Sequence, residues 1–188
     1  AQLSRGLGDV YKRQQKVSLA WNNIVKDNSV PYIGVQNSTN VIIEFFDYRC
    51  GVCKKFHSEL EKLKNDLDFK VILMHVPVLG EKSEFLAKLS LAAYQEYQDP
   101  VKFSALYNEL INLKKYNDRD IRNVFTKLNL DYSKVKKISQ DKKFSDMIQA
   151  NFKLGASIGM RGVPGLIING KFYGGFKTKN ELKGLFLK

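Results

Sequence analysis

The only two cysteines of the chain stand three residues apart, at Cys50 and Cys53. Such a pair can exchange a disulfide with another thiol, supply half of a metal site, or fill a core. Its surroundings point to redox chemistry. The preceding run Val-Ile-Ile-Glu-Phe-Phe (41–46) is apolar, β-branched and aromatic, which predicts a buried strand ending at Asp47. Behind the pair, Phe56, Leu60, Leu63 and Leu67 recur at helical spacing, so Cys53 falls in the first turn of an amphipathic helix. A thiol at a helix N-terminus meets unpaired backbone N–H groups and the positive end of the helix dipole, and both favour the thiolate. Arg49, directly before Cys50, adds a positive charge beside it.

The other chemistries of the pair need partners. Zinc takes about four ligands at recognisable spacings, and the only histidines are His57 and His75, with no second Cys-x-x-Cys. A tetrahedral zinc site is disfavoured; copper held by two thiolates and a histidine is the better metal alternative. His75 reads as a hydrogen-bonded core residue. His57, four residues after Cys53, reads as partly exposed, with no catalytic role.

Glu44 is the remaining residue with chemical potential. Its neighbours Ile43 and Phe45 predict burial, and a lone buried carboxylate is expensive and tends to keep its proton.

The elements that must position these residues follow from the pattern. Residues 1–14 show no usable periodicity and resemble adapter-like read-through at the ends of environmental sequence fragments, so they are set aside. Residues 15–26 predict a short helix carrying Val17, Leu19, Trp21 and Ile24, and 30–34 an edge strand, which suits Pro31. Residues 69–76 form a second strand, giving a βαβ unit with parallel pairing and both cysteines at the carboxyl end of the first strand. From 81 to 157 the pattern is helical. One face carries Phe85, Leu86, Leu89, Ala92 and Ala93; Asp99-Pro100 opens a helix with Phe103, Leu106, Tyr107 and Leu110. Asp118 and Ser133 open two more, and Phe144, Met147, Ile148 and Phe152 line the last. The sheet resumes with a strand entered through Val163-Pro164 and left through Asn169-Gly170, a hairpin signal. Thr178-x-x-Glu181 is a capping box for a closing helix.

Composition narrows the class. At 188 residues and 44% hydrophobic content, the chain predicts one globular domain, long enough to accommodate an inserted subdomain. The net charge of +12 is spread: +3 over 1–33, 0 over 34–80, +3 over 81–150 and +6 over 151–188. Without an Arg-rich block or an aromatic-basic platform, this predicts a lysine-rich solvated surface and no nucleic-acid partner. No apolar run approaches the ~18 residues of a membrane span, and no signal peptide is recognisable. That predicts a cytosolic chain, or the mature or truncated form of an exported one.

Three segments in order carry a specific resemblance: Glu44-Phe45-Phe46-Asp47-Tyr48-x-Cys50-x-x-Cys53, Pro77-Val78-Leu79-Gly80-x-x-Ser83, and Arg161-Gly162-Val163-Pro164-x-x-x-Ile168-Asn169-Gly170. Together they resemble the DsbA family of thioredoxin-fold disulfide oxidoreductases over about residues 34–188. The resemblance implies an α/β thioredoxin fold with an inserted helical subdomain. It divides the chain into an N-terminal segment (1–33), a thioredoxin-fold domain (34–80 and 158–188) and a helical insertion (81–157). It also implies Cys50 as the exposed reacting sulfur, Cys53 as its buried partner, and Pro164 as a cis-proline facing the disulfide. The backbone of Val163 would dock an extended substrate by strand addition, with Gly51 and Val52 on the substrate side tuning the redox poise. Glu44 would be a proton relay to the buried sulfur. Some members pair that acid with a lysine on the next strand, but the facing positions here, Leu73 and Met74, are apolar.

The leading expectation is therefore an enzyme that oxidises thiols of unfolded or partly folded exported proteins, without a cofactor, and is itself served by a DsbB- or DsbD-like membrane partner. Its location is then periplasmic or otherwise exported. A disulfide isomerase or reductase of the same family, a Cys-x-x-Cys copper-binding protein and a basic binding module are the alternatives.

Overall fold

The computed structural model describes residues 2–187, and side chains for 6–187. Ala1 and Lys188, the two ends of the predicted N-terminal segment and thioredoxin-fold domain, lie outside the described residues. Among the described residues, five strands form one mixed sheet in the order β1-β3-β2-β4-β5. The chain runs α1 (Gln2–Ile24), β1 (Tyr32–Gly34), β2 (Val41–Phe46), α2 (Gly51–Leu63), β3 (Lys70–His75), α3 (Glu81–Tyr97), α4 (Pro100–Ile111), α5 (Asp118–Lys127), α6 (Tyr132–Ile138), α7 (Lys142–Ser157), β4 (Gly165–Ile168), β5 (Lys171–Gly174) and α8 (Lys179–Phe186).

β2 is central because it is apolar on both faces; all six of its residues are buried. It pairs parallel with β3, Glu44 opposite Leu73, and antiparallel with β4, Glu44 opposite Leu166. Successive side chains along a strand point to opposite faces. Ile42 and Phe46 accordingly join one core with α2, the helices α3–α6 and Leu182 of α8, while Val41, Ile43 and Phe45 join a second core with Val17, Ala20 and Ile24 of α1 and Ile158. The Asn169-Gly170 turn is left-handed at both residues, φ 50° and 73°, as the β4–β5 hairpin requires.

Most expected caps are found: Asp99 opens α4 with Pro100 at its first position, and Thr178 and Glu181 close a capping box on α8. Two starts move by one or two residues. Asn117, not Asp118, caps α5, and Asp131, not Ser133, caps α6; in both, a side-chain oxygen three residues earlier accepts the exposed N–H. Helix α1 begins well before residue 15, although Leu7, Val10 and Tyr11 lie exposed on it. Leu19 and Met147, expected in the core, are also exposed, because Ala20 and Ile148 occupy the inward positions of their turns. Helix α2 stops at Leu63, short of Leu67.

Candidate functional site

The site forms where β2 ends. Asp47 and Cys50 make a turn closed by the Cys50 N–H donating to the Asp47 carbonyl at 3.1 Å. Cys50 then serves as the N-cap of α2: its sulfur accepts the Cys53 backbone N–H at 3.2 Å. The chain returns 113 residues later to place the Val163 carbonyl 3.7 Å from the same sulfur, as acceptor of its S–H. The Val163–Pro164 peptide bond is cis. Both cysteines are free thiols. Cys53 is fully buried, and Cys50, expected to be exposed, keeps only 8% of its surface because Val163 closes over it. The solvent side is formed by Gly51 and Val52, both exposed. A groove of about 350 Å³, lined by Arg161, Gly162, Val163, Pro164, Phe172 and Gly174, opens beside this point. A larger cavity of about 780 Å³ between the β1 edge and α3, lined by Tyr32, Tyr94 and Phe144, contains no cysteine.

The two sulfurs are electrostatically unequal. Cys50 is lowered to about 6, first by the hydrogen bond from the Cys53 thiol and then by the backbone N–H groups of Cys53 and Val52; burial and the Asp47 charge oppose this. Cys53 is pushed up, because it donates its proton to Cys50, is buried, and lies near the Glu44 charge. Arg49, expected to hold the thiolate, turns away: its guanidinium donates to the Leu79 carbonyl at 2.9 Å and lies 5.6 Å over the Tyr116 ring. Asp47 completes that loop, accepting from the N–H of Arg49 at 2.8 Å and of Leu79 at 3.0 Å. The three sequence blocks thus converge on one turn.

Beneath the sulfurs, Glu44 is 0% exposed, and neither carboxyl oxygen finds a hydrogen-bond partner among the described residues. Burial raises its pKa well above the usual carboxylate range, and the Cys50 charge adds to this. Leu73 indeed stands where a paired lysine would stand. His75 is a core residue, its Nε2 3.3 Å from Ser90 Oγ, and burial pushes it down to about 3. His57 departs from expectation. It is 3% exposed, its ring edge-on to Tyr107 at 5.2 Å, because α4 packs over this face of α2. Among the described residues no group of three His, Cys, Asp or Glu side chains gathers as a metal site.

Several neighbours of the site were not singled out from sequence. Lys54 donates to the Leu113 carbonyl at 2.8 Å and to the Tyr116 hydroxyl, which itself donates to the Tyr48 carbonyl at 3.2 Å. These bonds tie the start of α2 to the helical layer. Tyr107 read as core filling; a hydroxyl where phenylalanine would pack as well was the available signal.

A family model described as "Thioredoxin" matches residues 26–186. The chain belongs to this thioredoxin family. Disulfide bond formation protein D of Bacillus subtilis (strain 168) is 24% identical over 165 residues, 81% of this chain and 73% of that protein. The thiol-disulfide exchange protein alpha-DsbA2 from Wolbachia pipientis superposes with a TM-score of 0.80 at 27% identity, covering 94% of this chain and 95% of that one. A periplasmic thioredoxin-like protein from Salmonella enterica serovar Typhimurium gives a TM-score of 0.75 at 26% identity, covering 90% and 94%. These likenesses bear out the DsbA-like resemblance and the mixed α/β thioredoxin fold: the protein is an enzyme of the thiol:disulfide oxidoreductase class. No helix among the described residues is long and apolar enough to cross a membrane.

Proposed function

We propose that this thioredoxin-family enzyme oxidises paired thiols of exported proteins that are unfolded or partly folded. A substrate thiolate attacks Cys50 of the Cys50–Cys53 disulfide, the S–S bond breaks, and Cys53 leaves with the electron pair and takes a proton. A second substrate thiolate then attacks the substrate sulfur of the mixed disulfide and expels Cys50 as the thiolate. Two electrons pass from substrate to enzyme, and a DsbB- or DsbD-like membrane partner removes them.

The observation that carries the direction is the inequality of the sulfurs. A Cys50 thiolate held by the Cys53 thiol and by backbone N–H groups favours the reduced protein, which makes the disulfide an oxidant. Substrate binding is assigned to Val163, whose backbone borders the groove next to Cys50, and to the exposed Gly51 and Val52. Pro164 lines that groove and has no N–H to compete for the substrate strand. Glu44, buried and protonated, is the proton donor to Cys53. Export is supported by the likeness to a periplasmic thioredoxin-like protein.

Equilibrating the protein with glutathione redox buffers tests the direction. A potential near that of the strong oxidants, about −120 mV, supports the oxidase; a thioredoxin-like value, about −270 mV, makes it a reductase.

A further inference from the structure

Two cations flank the cysteine pair in sequence, Arg49 directly before Cys50 and Lys54 directly after Cys53. Lys54 follows Cys50 by four residues, the spacing that sets two side chains on one helix face, and its N–H donates to the Cys50 carbonyl at 3.0 Å. A cation close to a thiol favours the thiolate. Both charged heads are held elsewhere.

One residue of the α4–α5 connection, Tyr116, gathers them. The Arg49 guanidinium carbon lies 5.6 Å from the centre of the Tyr116 ring, and Lys54 Nζ lies 4.9 Å from it. Lys54 also donates to the Tyr116 hydroxyl and, at 2.8 Å, to the Leu113 carbonyl. Arg49 donates to the Leu79 carbonyl at 2.9 Å. The hydroxyl itself donates to the Tyr48 carbonyl at 3.2 Å, two residues ahead of Cys50. Tyr116 is half-buried against the larger core, which backs its ring. The Cys50 sulfur meets different groups: the Cys53 N–H at 3.2 Å and the Val163 carbonyl at 3.7 Å.

We propose that Tyr116 is a positioning residue that keeps both cations on the helical layer and off the Cys50 sulfur, and thereby limits how strongly oxidising the disulfide is. The inference rests on the oxidoreductase reading above and deepens it. Whatever stabilises the Cys50 thiolate favours the reduced protein and strengthens the disulfide as an oxidant. The ionisable groups bearing on Cys50 are Cys53 on α2, Asp47 after the end of β2 and Glu44 within it. A freed lysine or guanidinium would offset the two carboxylates and add to the backbone N–H groups. The groups that hold the cations are neutral, two carbonyls, a hydroxyl and a ring face, so the hold depends on where Tyr116 sits.

The test follows the 240 nm thiolate midpoint of the reduced protein and its equilibrium with glutathione. It compares the native protein, Tyr116→Phe, Tyr116→Leu, and Tyr116→Leu combined with Arg49→Met and Lys54→Met. Tyr116→Leu removes ring and hydroxyl, whereas Tyr116→Phe keeps the ring. A cation brought to about 6 Å from the sulfur lowers the midpoint by about half a pH unit. The same shift makes the disulfide about threefold more oxidising in its glutathione equilibrium. Tyr116→Leu should show both effects, weakened in about 1 M salt, and Tyr116→Phe a smaller shift of the same sign. The triple variant should return to the native midpoint. The sign separates this from packing alone, because a loosened turn gives up the Cys53 N–H bond and moves the midpoint up, towards about 8.5. An unchanged or raised midpoint in Tyr116→Leu would overturn the proposal, and so would a lowered one that persists without the two cations. Where Tyr116→Leu fails to fold, Tyr116→Phe decides by the same sign. A native protein that exchanges no disulfide with glutathione would overturn the oxidoreductase reading, and the tuning with it.

Discussion

Glu44 stands opposite Leu73 in the parallel β2–β3 pair, and its carboxyl group meets no hydrogen-bond partner among the described residues. Its pKa is raised by burial and then by Cys50. The folded chain therefore holds this proton to a higher pH than the unfolded chain does. Glu44's contribution is most favourable below its unfolded pKa, about 4.3, and falls as pH rises towards the folded value, by at most about 1.4 kcal/mol per pH unit. Glu44→Gln keeps the shape and removes the ionisation. Thermal melts at several pH values should show the variant gaining on the native protein as pH rises, with disulfide exchange slowed. Parallel stability curves would mean that the carboxyl carries no such burden.

Cys50 and Cys53 should titrate and react apart. With Cys50 near 6 and Cys53 raised, the reduced protein should show one thiolate transition at 240 nm near pH 6. Because the Cys50 pKa is depressed by folding, its stabilising contribution to the reduced protein is full above the unfolded value, about 8.5, and is lost as pH falls through about 6. Alkylation near pH 6, read by mass spectrometry, should mark Cys50 before Cys53. Cys50→Ser should abolish exchange, and Cys53→Ser should trap mixed disulfides. Preferential labelling of Cys53 would reverse the assignment.

Asp47 opposes the thiolate it sits beside. Its charge raises Cys50, while its two oxygens hold the N–H groups of Arg49 and Leu79. Asp47→Asn should shift the 240 nm midpoint further down and cost about 1 kcal/mol through the lost bond to the Leu79 loop. An unchanged or raised midpoint would show that the Asp47 charge does not reach the sulfur.

His75 should shape the acid limb of stability. Burial pushes it down to about 3, so the unfolded chain binds a proton there that the folded chain refuses. The resulting stability is full above the unfolded value, about 6.5, and is lost as pH falls towards 3. His57, also lowered, adds to the same slope. His75→Leu should flatten this limb without abolishing it, while Ser90 keeps its 2.6 Å bond to the Tyr48 hydroxyl. Denaturant melts between pH 4 and 7 decide; an unaltered slope would assign the acid limb elsewhere.

Local chemistry alone made much of the protein legible. The apolar run 41–46 demanded a strand buried on both faces, the Asn169-Gly170 pair a tight hairpin, and Asp99-Pro100 and Thr178-x-x-Glu181 two helix starts. The same local reasoning placed Cys50 at a helix N-terminus and Glu44 out of reach of water, because strand and helix periods act over a few neighbouring residues. What lies across a face is not local. Periodicity marks which side of α2 is apolar but not what covers it, so His57, on the Cys53–Leu60 side of the helix, reads as partly exposed from sequence, whereas Tyr107 of α4 closes over it. Arg49 adjoins Cys50 in the chain, yet the Leu79 carbonyl, thirty residues on, is what its guanidinium binds. Whether the Val163 carbonyl reaches the Cys50 sulfur depends on antiparallel pairing of β2 with β4 across the whole helical layer. Hydrogen bonds and burial at such distances are set by packing, which only the assembled fold specifies.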